Sequence, residues 1–197
     1  MRTTVYIFLL LLVGCQADPN FTIEGWLPDK TFDGEFIYLV PLENAVKESV
    51  DSAVIADGKF RIEGITNSKE IFIIRPKPVL RLTLQELLVV KEPGNLVVKI
   101  GQNSVAGGTA LNDSLQRWKE KKMKADFLNE TLRQQFLKAD TAGREVIKQK
   151  AEALNAKIVE FHFNFVRNNR DNVVGKFVNK MMGDSFTPEQ KKSLNLN

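Results

Sequence analysis

DSAVIADGKFRIE, residues 51–63, is the stretch that decides the fold of the first half of this 197-residue chain. An Asp57-Gly58 pair lies between two short segments, and Phe60 and Ile62 alternate with charged neighbours. An Asp-Gly pair in this setting is typical of a hairpin, because type I′ turns need a positive φ at both central residues. The stretch therefore predicts two short strands joined by a tight turn.

Similar strand-like segments lie on both sides of this stretch. Asp33-Gly34, Pro41 and Pro93-Gly94 separate them, as turn-forming residues do between strands. Short strands at regular spacing are typical of a sandwich or an open barrel, which we expect over residues 21–108. The further predicted strands are 21–27, 35–40, 70–75, 87–91 and 95–100.

From Leu111 onwards the pattern becomes helical, with Asn112 and Asp113 as predicted N-caps. Residues 172–182 predict a further helix, and Thr187-Pro188-Glu189-Gln190 fits a capping box. The fold class is therefore α+β: an N-terminal antiparallel β-sandwich or open barrel, followed by a C-terminal helical segment over 109–197. The longest periodic stretch, 145–167, has apolar residues three or four apart: Ile147, Ala151, Leu154, Ile158, Phe161 and Phe165.

The first residues have the form of a secretory signal. Arg2 precedes an apolar run, Val5 to Val13, that is shorter than the ~20 residues of a spanning helix. Leu12-Val13-Gly14-Cys15 resembles the lipobox of bacterial lipoproteins. The alternative is an ordinary signal peptide with a cysteine at this place by chance. The resemblance implies a signal peptide over 1–14 and a lipidated tether over 15–20.

In lipoproteins, the cysteine is alkylated by diacylglycerol and becomes the acylated first residue. Cys15 would then carry three acyl chains such as palmitate, and two or more chains hold a protein stably to a membrane. The residue after the cysteine is Gln16 rather than Asp. By the sorting rule of enterobacterial lipoproteins, this resembles a protein that is sent to the outer membrane. The resemblance therefore implies a cell-envelope protein, lipid-anchored to the outer membrane.

Lipidation would use the only cysteine of the chain, so no disulfide, redox pair or thiolate metal site is expected. Removing residues 1–14 leaves 27 basic and 24 acidic residues, a net charge of +3. This balance is too weak to indicate nucleic-acid binding.

Four segments together resemble the DUF4369 family, a domain of unknown function common in Bacteroidota envelope proteins. They are FTIEGWL, DSAVIADGKFRIEG, KEPGNLVVKI and GGTALNDSLQRW, all between residues 21 and 118. FVRNNRDNVVGKFVNKMM, residues 165–182, resembles the last helical stretch of the same family, so the resemblance covers most of residues 21–190. In that family the domain often precedes a thioredoxin-like domain of thiol-disulfide oxidoreductases. The resemblance implies a thioredoxin-like partner or domain, but the Trp-Cys-x-x-Cys motif is absent from these 197 residues.

The residues predict no catalytic group, no metal site and no cofactor. His162, the only histidine, flanks an apolar helix face and has no paired nucleophile, so we interpret it as a structural or surface residue. Asp29, Asp33 and Glu35 lack the spacing of a calcium loop and are interpreted as solvated turn carboxylates. Gly107-Gly108 lacks the following Lys-Ser or Lys-Thr of a phosphate loop.

A basic run early in the first long helix has two interpretations. It is a solvated helix face, or it contacts anionic lipid headgroups beside the anchor, at ~1 kcal/mol per cation. Trp118 within the run, and Trp26 at the end of the first strand, are either core residues or interfacial aromatics. The basic residues are Arg117, Lys119, Lys121, Lys122 and Lys124.

Three Asp-Ser/Thr-apolar triplets resemble the O-glycosylation acceptors of exported Bacteroidota proteins. Their acceptor residues are Ser52, Ser114 and Thr141. At the last two sites, Asp and Ser also fit helix caps.

Two function classes follow. The first is a non-catalytic envelope lipoprotein that binds or scaffolds a protein or glycan partner. The alternative is an accessory or truncated N-terminal half of a thioredoxin-like thiol-disulfide oxidoreductase, which rests on family analogy. An edge strand is one place where such a β domain can receive a partner.

Overall fold

The computed structural model describes residues 18–77 and 84–194. In this part of the chain, eight strands precede four α-helices; Cys15 and the predicted signal peptide lie outside it. The strands are β1 (Phe21–Trp26), β2 (Phe36–Pro41), β3 (Asp51–Val54), β4 (Lys59–Gly64), β5 (Glu70–Pro76), β6 (Leu87–Lys91), β7 (Gly94–Lys99) and β8 (Val105–Gly107). The helices are α1 (Ala110–Lys138), α2 (Thr141–Asn168), α3 (Val173–Met182) and α4 (Pro188–Ser193).

The strands form two four-stranded sheets, ordered β4-β1-β7-β8 and β3-β2-β5-β6. All pairs are antiparallel except β1 with β7. Side chains of both sheets meet in one apolar core, so the α+β fold class is confirmed and its β half is a sandwich. Fully buried members of this core include Ile23, Ile37, Leu39, Ile74, Val89 and Val98.

The predicted Asp57-Gly58 turn is confirmed. Ala56 and Lys59 exchange two backbone hydrogen bonds of 2.9 and 3.0 Å, and Asp57 and Gly58 have φ of 54° and 65°. The Asp33 carboxylate accepts from the N–H groups of both turn residues, at 3.0 and 2.8 Å.

The strands on either side of this turn do not form a regular hairpin, so that part of the prediction is wrong. Past the Ala56–Lys59 pair they separate, and β3 joins β2 while β4 joins β1. Ile55, Phe60 and Ile62 all point into the core between the sheets. Burying these side chains separates the strands, so the turn carries the chain from one sheet to the other.

A second apolar layer covers the outer face of the β3-β2-β5-β6 sheet. Successive residues of a strand point to opposite faces, so Phe72 and Val89 face the sandwich core while Ile71 and Val90 face the helices. This explains the continuous apolar sequences IFII and LLVV, because both faces of β5 and β6 are buried. The helical residues in this layer include Leu115, Trp118, Val166, Val174, Val178 and Phe186.

Helix α1 closes the side of the sandwich where the two edge strands β6 and β8 lie. The Asn112 side chain accepts from the N–H of Val90 and donates to its C=O, both at 2.8 Å, as a neighbouring strand would. Gln116 accepts from the N–H of Ala106 in β8, at 3.2 Å. The helix therefore satisfies backbone groups of both edge strands.

This arrangement corrects the predicted helix caps. Thr109 is the N-cap of α1, and the Glu92 carboxylate accepts from the N–H of Leu111 at 2.9 Å. Asp113 accepts from the N–H of Gly108, which precedes the helix, at 2.9 Å. Asn112 and Asp113 were plausible caps by residue type, but both lie inside the first turn and bind backbone outside the helix.

Helices α1 and α2 form an antiparallel hairpin that extends beyond the sandwich. Helix α1 has 29 residues, which at 1.5 Å per residue is roughly 44 Å. Asp140 caps α2 by accepting from the N–H of Gly143 at 2.8 Å. Between Asp126 and Phe161 no side chain is buried, so the distal half of the hairpin is accessible to solvent.

Replacing Asn112 with Ala tests the closure of the sandwich. Asn112 and Val90 are each 1% exposed, so the substitution leaves a buried N–H and a buried C=O without partners. We expect the free energy of unfolding to fall by about 2–4 kcal/mol in urea denaturation. Asn155→Ala, at an exposed position of α2, is the matched control and should change it by less than about 0.5 kcal/mol. Equal effects of the two substitutions would contradict this role of Asn112.

Candidate functional site

The three predicted glycosylation acceptors differ in accessibility. Ser52 is exposed on the edge strand β3, and Thr141 is exposed at the tip of the helical hairpin. Ser114 is half-buried, and its hydroxyl lies 3.4 Å from Oδ1 of Asn169. Modification of these residues stays a prediction, as does lipidation of Cys15.

The three acidic turn residues each have a partner within the protein. Asp29 accepts from the N–H of Thr31 at 2.8 Å, Asp33 binds the Asp57-Gly58 turn, and Glu35 forms an ion pair with Lys77. The hydrogen bonds from Thr31 lower the pKa of Asp29. Within residues 18–77 and 84–194, no group of three or more His, Cys, Asp or Glu side chains is arranged to hold a metal ion.

His162 is part of the helical core rather than of a catalytic site. It is 3% exposed, and its Nδ1 accepts from the indole N–H of Trp118 at 3.1 Å. Burial lowers the pKa of His162, and the Lys122 ammonium lowers it further, whereas Asp126 opposes the shift. Since Nδ1 is an acceptor, the ring is neutral, with its proton on Nε2. Trp118 is 2% exposed, which makes it a core residue.

The Trp118–His162 bond predicts a pH dependence of stability. Because the pKa of His162 is lower in the folded protein, the unfolded chain binds the proton more readily. We therefore expect stability to be complete above the unfolded pKa of about 6.5 and to fall as the pH drops toward the folded pKa. His162→Gln keeps an acceptor for Trp118 but does not titrate. Urea denaturation at several pH values between 7.5 and 5 should show a smaller loss for the variant, and an equal loss would contradict the assignment.

The predicted basic run is divided around α1. Arg117, Lys121 and Lys124 are exposed and share one side of the helix, since they are spaced by four and three residues. Lys122 instead forms an ion pair with Asp126 at 2.7 Å, and Lys119 is half-buried beside the sandwich. The run is therefore not one uniform basic surface.

A cleft of about 400 Å³ lies where α1 leaves the sandwich. Leu88 of β6 and Val105 of β8 line one wall, while Lys119 and Met123 of α1 line the other. Ser104 connects the two sheets at the base of the cleft: its N–H donates to the Gln85 side chain at 3.0 Å and its hydroxyl to the Gln85 C=O at 2.8 Å.

Lys119 is the distinctive charge of this cleft. Burial lowers its pKa to about 8, although Glu120 opposes the shift. The carboxylates of the lining have other partners: Glu86 pairs with Arg75, Asp126 with Lys122, and Glu120 accepts from Gln116. Among the described residues, none forms an ion pair with Lys119. A half-buried ammonium group of this kind favours an anionic ligand.

Lys119 was predicted only as one member of the basic run. A sharper signal was present in the spacing of Leu115, Trp118, Lys122 and Ala125, which marks the side of α1 that faces α2 and the other helices. Lys119 lies next to that side of the helix, on the surface that faces β6 and β8. The sequence of the helix alone does not show that these strands lie beside Lys119.

A larger cleft of about 540 Å³ lies between the segment after β2 and helix α3. Glu43, Glu70, Lys176 and Lys180 contribute charges of both signs to its lining. Lys180 already forms an ion pair with Glu43. The opposite charges of this lining favour no single ligand class, so the cleft beside Lys119 is the better candidate.

The architecture defines a class of protein: a β-sandwich domain whose open side is closed by the first turns of a long helix. Residues 21–115 match the model of the family described as Domain of unknown function (DUF4369). The match includes all eight strands and ends at Leu115, just after Asn112. Comparison with curated proteins and with solved structures gives no match.

The family match confirms the predicted resemblance to DUF4369 over residues 21–115, and the resemblance of residues 165–182 stays a prediction. The Bacteroidota origin and the association with thioredoxin-like domains stay predictions. Most of the helical hairpin lies beyond the matched residues, and so does Lys119.

Proposed function

We propose that this protein is a lipid-anchored lipoprotein of the cell envelope, and that it acts as a non-catalytic binding or scaffolding module for a partner. The observation that carries the proposal is the helical hairpin, whose distal half extends from the sandwich with exposed apolar side chains. Phe127 is 72% exposed and Leu137 is 58% exposed. Large apolar residues on a projecting element are typical of surfaces that bind another molecule.

The lipobox-like sequence supports attachment through Cys15. Asn20 is fixed to the sandwich, because its side chain forms hydrogen bonds of 2.9 and 2.8 Å with the backbone of Thr66. Five residue steps separate Cys15 from Asn20, and an extended chain spans at most roughly 17 Å over that length. A lipid on Cys15 would therefore hold the sandwich close to the bilayer and leave the helical hairpin to receive the partner.

Within residues 18–77 and 84–194, no helix combines the length and the hydropathy that crossing a bilayer requires.

Cys15→Ala tests the proposed attachment. In cells that process lipoproteins, the unmodified protein should incorporate a palmitate analogue and sediment with the membranes. The variant should lose the label, because the chain has no other thiol. Ser52→Ala, which leaves Cys15 intact, is the control and should keep the label. Incorporation of the palmitate analogue by the Cys15→Ala variant would contradict the proposal.

A further inference from the structure

We infer that the cleft beside Lys119 binds an extended, acidic segment of a partner protein, which adds to the edge of β6 at Leu88 and places a carboxylate at the Lys119 ammonium group. This inference rests on the proposed binding function and specifies the site and the chemistry of the partner.

The backbone of β6 alternates between residues that bind β5 and residues whose N–H and C=O groups point away from it. The C=O of Ile71 in β5 points toward β2, where it accepts from the N–H of Leu42. Val90 lies opposite Ile71 in β6, and its N–H and C=O bind the Asn112 side chain instead of β5. Ile71 and Val90 are therefore a non-hydrogen-bonded pair of the β5–β6 ladder. Antiparallel pairs alternate in type, so Leu88, two residues before Val90, also directs its N–H and C=O away from β5.

Leu88 lines the cleft, so these backbone groups lie at the edge where a further strand would add. Asn112 already occupies the equivalent groups of Val90. Leu88 is thus the position at which a peptide backbone can extend the sheet.

The charges of the cleft select an acidic segment. Lys119 is half-buried, and within the described residues it forms no ion pair, while Glu86, Glu120 and Asp126 have the partners given above. A carboxylate of the ligand would provide the missing counter-charge. The lowered pKa of Lys119 agrees with this uncompensated burial.

The apolar wall specifies the neighbouring residues of the segment. Val105 and Met123 are 37% and 50% exposed at the two sides of the cleft. In an extended chain, residues two apart point to the same side. An acidic residue with an apolar residue two positions away would therefore contact Lys119 and this wall together.

Binding of designed peptides to the full-length protein tests the inference. The probes are two acetylated and amidated hexapeptides of alternating Thr and Val, one with a central Glu and the other with Gln at that position. We expect the Glu peptide to bind about tenfold more tightly in isothermal titration, because it alone supplies a charged hydrogen-bond partner. Exchange of the Leu88 amide should slow when it binds.

Variants of Lys119 connect the preference to the cleft. Lys119→Gln should bind the two peptides equally, and Lys119→Arg should retain the preference for Glu. Lys150→Gln, on the exposed surface of α2, is the matched control and should behave as the unmodified protein. Unfolding curves establish that every variant is folded.

Several outcomes would overturn the inference: equal binding of both peptides by the unmodified protein, a Glu preference that survives in Lys119→Gln, or amide protection on β4 rather than at Leu88. Binding of acetate alone with the affinity of the Glu peptide would also overturn it, since the site would then select a small carboxylate.

Photo-crosslinking in the native envelope separates this inference from the proposed function. A photoreactive residue is placed at Met123 in the cleft or at Phe127 on the hairpin. Capture of one partner from both positions, with loss of the Met123 product in Lys119→Gln, is the expected result. Capture from Phe127 alone would leave the binding function standing and reject the cleft as its site. No capture from either position would count against both.

Discussion

The fold depends on one pair of hydrogen bonds, between the Asn112 side chain and the backbone of Val90. A sandwich with two edge strands on the same side exposes unpaired backbone groups there, and these invite unwanted pairing. Asn112 supplies an acceptor and a donor in the positions where a further strand would have them, at 2.8 Å each. Since both residues are buried, these bonds fix the direction in which α1 starts, and with it the helical layer on the outer face of β5 and β6.

The same contact divides α1 into two parts with different roles. Its first turns, through Leu115 and Trp118, pack on β5, β6 and the other helices. Beyond Ala125 no side chain of the helix is buried, and apolar residues such as Phe127 and Leu137 are exposed. The cleft beside Lys119 lies at the boundary between these parts, where sheet edge, helix flank and solvent meet. A site at this boundary has a rigid base and an open entrance, which suits recognition of an extended chain.

Much of this architecture is predictable from local patterns. Seven strands follow from alternation and turn residues, and the Asp57-Gly58 turn follows from its need for positive φ. The short β8, with the sequence VAG, was not predicted because three small residues carry no periodic signal. The separation of β3 from β4 and the role of Asn112 depend on contacts with distant strands, which no local pattern encodes. Lys119 was missed as a distinct group for the same reason, because its environment is made by β6 and β8.

The central claim is that the start of α1 and the edge strand β6 form one structural unit held by Asn112. Hydrogen exchange across the unmodified protein tests this claim most directly. If the claim is correct, the amides of β6 and of Leu111–Lys122 open together, with nearly the same free energy, in native-state exchange at increasing urea. The amides of Phe127–Leu137 should exchange at a much lower free energy, since no side chain in that part of the helix is buried. Early opening of Leu111–Lys122 while β6 stays protected would show that the helix is only attached to a sandwich that is complete without it.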